Sequence, residues 1–133
     1  MTPSDLRKVK RILSFADDLH AMMEERGITR ELVESDQFVQ WAVTTPLYNI
    51  GEYVSHLSKE TREAHPDIPW SKVAGLRHRL VHDYENTKWD IVTQVLFDEL
   101  WEFADQLRKL VASVEQDEAD LDDTPATPSS PRL

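Results

Sequence analysis

The chain of 133 residues carries 15 Lys+Arg against 25 Asp+Glu, a formal charge of −10, with 40% hydrophobic and 30% charged residues. That length bounds it to one compact domain with a modest core, and the acidic balance excludes a chain-wide basic footprint, so any nucleic-acid contact has to be local. The absence of cysteine excludes disulfide scaffolds, Cys-based zinc sites, thiol catalysis and iron–sulfur ligation.

Helical spacing recurs along the chain and glycine is scarce, so the sequence predicts an all-α fold. Thr2 and Pro3 resemble an N-cap followed by proline at the first helical position. Leu6, Val9, Leu13, Ala16, His20 and Met23 then repeat at alternating three and four, predicting a long helix that ends near Gly27 at a left-handed C′ position. Residues 28–35 read as a connector with one helical turn opened by Thr29. Ser35 is the expected cap of a second helix with an apolar face of Phe38, Val39, Ala42, Leu47, Ile50, Val54 and Leu57. Pro46, inside that helix, is expected to kink or split it. The segment from His65 to Trp70 reads as a loop, because each proline steers its predecessor out of the α region. A third helix is expected from about Trp70 to the region of His82. Thr87 with Asp90 resembles a capping box for a last long helix with Val92, Leu96, Leu100, Phe103, Leu107, Leu110 and Val114 on one face.

These helices and short loops predict an up-and-down bundle of four to five helices over residues 1–115. Residues 116–133 read as a disordered acidic tail with Pro, Ser and Thr: five acids against Arg132 give it −4 of the total charge, leaving −6 on the bundle. No apolar run approaches a membrane span and none follows the charged N-terminus, so the expectation is a cytoplasmic protein without a membrane role.

Within that acidic chain, residues 70–88 invert the sign. Lys72, Arg77, Arg79 and Lys88 outweigh Asp83 and Glu85 by +2, with His78 and His82 adding charge when protonated. Arginine can hold a phosphodiester and stabilise charge developing on it, and histidine can move a proton to or from ribose oxygens near neutral pH. Arg77 and His82 therefore suffice in principle for metal-independent RNA cleavage through a cyclic phosphate. Five positions separate them, about 140° around an ideal helix, so one regular helix does not bring them to one face. The helix must distort or end near His82, or two copies of the segment must meet. His78 and His82 stand four apart, a spacing open to a metal, but no HExxH pattern surrounds them, and no metal is assigned. Tyr84 on its own reads as a half-buried loop anchor, and the four tryptophans as packing or interface residues.

The wording Arg77-x4-His82-x-Tyr84, preceded by Ala74-Gly75-Leu76, resembles the signature of HepT-type proteins in the HEPN superfamily. Ile50-Gly51-Glu52, Leu57-Ser58 and His65-Pro66-Asp67-Ile68-Pro69-Trp70 match that family in wording and order, so the resemblance covers about residues 5–112. It implies a helical bundle paired as a homodimer, with both motif copies at a shared cleft. It also implies an RNase toxin encoded beside a minimal nucleotidyltransferase antitoxin, in a type VII-like pair where AMP passes from ATP to the motif tyrosine. Carried over, Arg77 and His82 are the catalytic pair, Tyr84 the modified hydroxyl and His78 an auxiliary polar residue. The substrate is cellular RNA, with tRNA among the candidates, and no cofactor is implied. The alternative is a non-catalytic helical module that binds nucleotide or the nucleotidyltransferase partner.

Overall fold

Thr2 opens the first helix by accepting a hydrogen bond at Oγ1 from the Asp5 amide (3.1 Å), with Pro3 in the first turn, where its missing N–H has no intrahelical partner to lose. This is α1, Pro3–Glu25, in a computed structural model that describes residues 1–81 and 87–122. The helix stops at Gly27, whose φ of 61° lies in the left-handed region. There the Gly27 and Ile28 amides turn back onto the carbonyls of Glu24 (3.3 Å) and Met23 (2.9 Å), a Schellman end. The buried stripe is Val9, Ile12, Ala16, Leu19 and Met23. It shares Val9, Ala16 and Met23 with the expected stripe but takes Ile12 and Leu19, leaving Leu13 half-buried and His20 exposed against Trp101. Two stripes of equal period compete here, and the one without a histidine is buried.

The connector holds α2, Arg30–Ser35, with Thr29 Oγ1 accepting from the Leu32 amide as expected. The cap of α3, Gln37–Ser55, is Asp36 and not Ser35. Asp36 Oδ1 accepts from the Phe38 and Val39 amides at 2.9 and 3.2 Å, while Ser35 stays helical and donates its hydroxyl to the Glu31 carbonyl. Of the apolar face expected for α3, Leu47, Ile50 and Val54 are buried together with Val43, whereas Ala42 is exposed. Phe38 (77% exposed) and Trp41 (49%) also point outward and meet edge to face at 5.6 Å. Pro46 does not split α3. Burial of the residues on either side of it offsets the roughly 3 kcal/mol that an internal proline costs, and the carbonyl it leaves unpaired belongs to exposed Ala42.

A short α4, Lys59–Ala64, follows with Ser58 as cap, in a stretch where the spacing predicts no element. The single helix expected from Trp70 is two, α5 (Trp70–Ala74) and α6 (Leu76–Val81), separated at Gly75. After the undescribed stretch comes α7, Trp89–Gln94, with Lys88 at the cap position. The capping box expected of Thr87 is therefore absent, and Thr87 Oγ1 donates to the Arg79 carbonyl (3.3 Å). A π-type turn over Val95–Glu99, in which the Leu100 amide reaches back to the Val95 carbonyl, leads into α8, Leu100–Asp122. Two successive carboxylates of this turn serve different neighbours, Asp98 pairing with Arg30 and Glu99 with Lys72. The apolar face predicted for this last stretch is buried from Val92 to Leu110, with Val114 half-buried. Helix α8 runs beyond the 115/116 division drawn from composition, with Gln116 donating to Asp120 four residues on (2.9 Å).

The architecture is an all-α bundle, with no strand among the described residues. Helix α1 packs on α3 and α8, α3 on α5 and α6, and α2 on α7. Fully buried Phe103 anchors the centre, with Trp70 edge-on at 6.0 Å and the Trp70 indole N–H donating to the His65 carbonyl. No helix among the described residues is long and apolar enough to cross a membrane.

One buried carboxylate ties the start of α1 to the start of α4. Asp5 accepts from the Ser58 amide (3.2 Å), the Ser58 hydroxyl (2.5 Å) and the Thr61 hydroxyl (2.7 Å). Burial alone raises its carboxyl, but the hydrogen bonds from Ser58 and Thr61 and the charge of Lys8 outweigh that and hold it below the usual value. Its contribution is thus present above the ordinary carboxylate range and lost as pH falls through the lower folded value. Asp5→Asn is expected to cost about 1–3 kcal/mol at neutral pH and to flatten the acid limb of a stability–pH curve. Denaturant titrations from neutral to acid pH check this; a variant matching wild type throughout would remove Asp5 as the tie.

Candidate active site

Leu76 and Leu80, four apart, anchor α6 in the core, so the intervening Arg77, His78 and Arg79 face solvent. The depth of α6 is set by Gly51 on α3, which is buried. A Cβ at Gly51 would lie 3.0 Å from the Val73 carbonyl oxygen and 3.1 Å from the Arg77 amide nitrogen. Only the missing side chain lets the α5–α6 junction rest directly on α3.

The next residue uses that proximity. Glu52 Oε1 accepts from Arg77 Nη1 at 2.8 Å, and Glu52 Oε2 accepts from the Tyr48 hydroxyl one turn earlier at 3.4 Å. The Arg77 hydrogen bond, partly opposed by desolvation and reinforced by the Arg77 charge, holds the Glu52 carboxyl below its usual range. The Arg77 side chain remains 45% exposed. Its guanidinium is therefore oriented by one carboxylate while its fork keeps donors over for an anion from solvent.

Of the residues singled out from the sequence, Arg77 and His78 lie side by side on exposed helix surface, and His82 and Tyr84 fall outside the described residues. Glu52 was missed as a partner of Arg77. It lies 25 residues away in sequence, so no local spacing signals the pair. Gly51-Glu52 appeared only as part of the family-like wording. Among the described residues no group of three or more His, Asp or Glu side chains converges as a metal site.

Comparison with known proteins adds a family. The description "Ribonuclease HepT-like" matches residues 6–110. A candidate RNase of Caldanaerobacter subterraneus subsp. tengcongensis is 33% identical over 86 residues, covering 65% of this chain and 77% of the relative. A candidate RNase of Methanocaldococcus jannaschii is 29% identical over 105 residues, 79% of this chain and 89% of the relative. A candidate ribonuclease HepT of Thermococcus cleftensis is 37% identical over 49 residues, 37% of this chain and 44% of the relative. No solved structure matches the chain.

Since the atoms facing Gly51 are backbone and cannot swing aside, Gly51→Ala is expected to destabilise the fold by about 1–3 kcal/mol through overpacking. Glu52→Gln, on the exposed side of the same helix, should shift the denaturation midpoint far less. Equal midpoints for wild type and Gly51→Ala would show that the close approach is not under steric constraint.

Proposed function

The chain belongs to the HepT-like ribonuclease family, and from that premise we propose that it is a toxin-type, metal-independent endoribonuclease whose catalytic pair is Arg77 and His82. The observation that carries this reading is the presentation of Arg77: a half-exposed guanidinium on a helix pinned to the core, oriented by Glu52. In the proposed reaction His82 takes the proton of a ribose 2′-hydroxyl. The 2′-oxygen attacks the adjacent phosphorus, the P–O5′ bond breaks, and the protonated His82 returns its proton to O5′, giving a 2′,3′-cyclic phosphate and a 5′-hydroxyl. Arg77 stabilises the charge on the phosphoryl oxygens, with His78 as an auxiliary polar group. A homodimer supplies what the 140° separation denies to one regular helix, because pairing brings two copies of the motif to one cleft.

Control falls to a minimal nucleotidyltransferase antitoxin that moves AMP from ATP to the Tyr84 hydroxyl, releasing pyrophosphate. The added phosphate and base lie two residues from His82, where they occupy the place of a substrate phosphate and offset local positive charge. The substrate is cellular RNA of the cytoplasm, with tRNA as a candidate class.

Purified protein with Tyr84 confirmed unmodified by intact mass should cut RNA and leave DNA of the same sequence whole. Arg77→Ala is expected to slow cleavage by about 10²–10³-fold, and His82→Ala by about 10²–10⁴-fold. Intact RNA at large protein excess would shift the reading to a non-catalytic module that binds nucleotide or the nucleotidyltransferase. Co-expression with the partner enzyme should add the mass of AMP to wild type and not to Tyr84→Phe.

A further inference from the structure

A cavity of about 540 Å³ opens between α4, the following loop and α5, with Lys59, Arg62, Glu63, Ile68, Pro69 and Lys72 in its wall. Three cations and one carboxylate line it, which is unusual in a chain of net charge −10. Two of the cations have carboxylate partners: Lys59 lies 3.7 Å from Glu63, and Lys72 is held by Glu99. Arg62 has none among the described residues. Its Nε is closed off from solvent and has no hydrogen-bond partner. That atom is walled off from a ligand as it is from water, so an anion in the cavity meets the terminal guanidinium nitrogens, whose paired N–H bonds match the oxygens of a planar or tetrahedral anion. Ile68 and Pro69 give the same cavity an apolar side against which a sugar or base can lie.

We propose that this cavity is a phosphate-ester site, with Arg62 as its anchoring cation and Lys59 and Lys72 flanking it. Glu63 stays neutralised by Lys59, so the excess charge of the lining remains positive. The phosphate comes from an RNA backbone or from a free mononucleotide. In its RNA form the proposal rests on the ribonuclease reading and extends it. Lys72 lies on α5 and Arg77 at the start of α6, five residues on, so a strand held at Arg77 reaches the cavity within a few phosphates.

The test is calorimetric titration of the full-length chain carrying Arg77→Ala, so that the cleavage site does not contribute. The probes are inorganic phosphate, AMP and a 2′-O-methylated RNA oligonucleotide, which binds without being cut. Adding Arg62→Gln is expected to weaken binding by about tenfold or more, with a smaller loss for Lys59→Gln and an intermediate one for Arg62→Lys. Loss on the oligonucleotide alone, with a shallower salt dependence, identifies an RNA backbone phosphate; loss on AMP or phosphate alone identifies a free nucleotide. Arg62→Gln should melt no lower than its parent, because it removes a donor that has no partner; should it fail to fold, Arg62→Lys and Lys59→Gln carry the test. Unchanged affinity in all variants, or no binding of any probe, overturns the proposal. Neither result bears on whether Arg77 and His82 cut RNA.

Discussion

The site depends on one close approach, that of the Arg77 backbone to Gly51. A helix presents its side chains to its neighbours and keeps backbones apart, so two backbones come this near only where one side chain is missing. With a Cβ at 3.1 Å from the Arg77 amide, the start of α6 would have to move outward by a few tenths of an ångström. Steric and electrostatic placement of Arg77 therefore come from two consecutive residues of α3, the first by absence and the second by charge. Helix α3 can carry this because Val43, Leu47, Ile50 and Val54 are fully buried and the helix packs on α1 as well as on α5 and α6, even with Pro46 in its middle.

The remaining ties converge on the same region. Asp5, reaching Ser58 and Thr61, locks the turn just after α3, so the end of α3 that bears Glu52 cannot drift from α1. On the opposite side the π-type turn sends Glu99 to Lys72, and Phe103 meets the Trp70 ring. Helix α5 is thus held from three directions, by Gly51, Glu99 and Phe103, before it hands the chain to α6. The widened turn is a structural joint in this sense. From it Asp98 reaches Arg30 on α2 and Glu99 reaches Lys72 on α5.

Features whose chemistry is local were legible in the sequence. Thr2 and Pro3 open α1 and Gly27 closes it because cap and C′ geometry involve only neighbours along the chain. Where two local solutions were equal, tertiary packing chose. Ser35 and Asp36 are both good caps, and the backbone at Ser35 is already committed to α2. The stripes through Leu13 and Ile12 have one period, and burial distinguishes them. The Gly51 approach to the α5–α6 junction, the ion pairs of the π-type turn and the Asp5 tie to α4 join residues far apart in sequence, which spacing does not record. In the site, the exposed run of Arg77 and His78 could be read between Leu76 and Leu80, but the Glu52 partner could not. The family-like wording acquires physical reasons residue by residue: Gly51 for close approach, Ser58 for Asp5, and Ile68 and Trp70 for the core.

The local inversion of charge over residues 70–88 looks different once its partners are known. Lys72 is neutralised by Glu99 and Arg77 by Glu52, so part of the basic surface read from the sequence is already spoken for by acids from other helices. An exposed carboxylate–guanidinium pair contributes little to stability and exchanges readily. On the proposed reading Glu52 is a placeholder that keeps the Arg77 fork oriented while the site is empty and yields to an anion with better geometry. A phosphodiester offers two oxygens to that fork and carries its charge to the same point. On the proposed reading, holding any strand at so acidic a surface rests on this exchange, because the field of the whole molecule repels the polymer and a phosphate delivered to Arg77 recovers the loss, while the 2′-hydroxyl separates RNA from DNA.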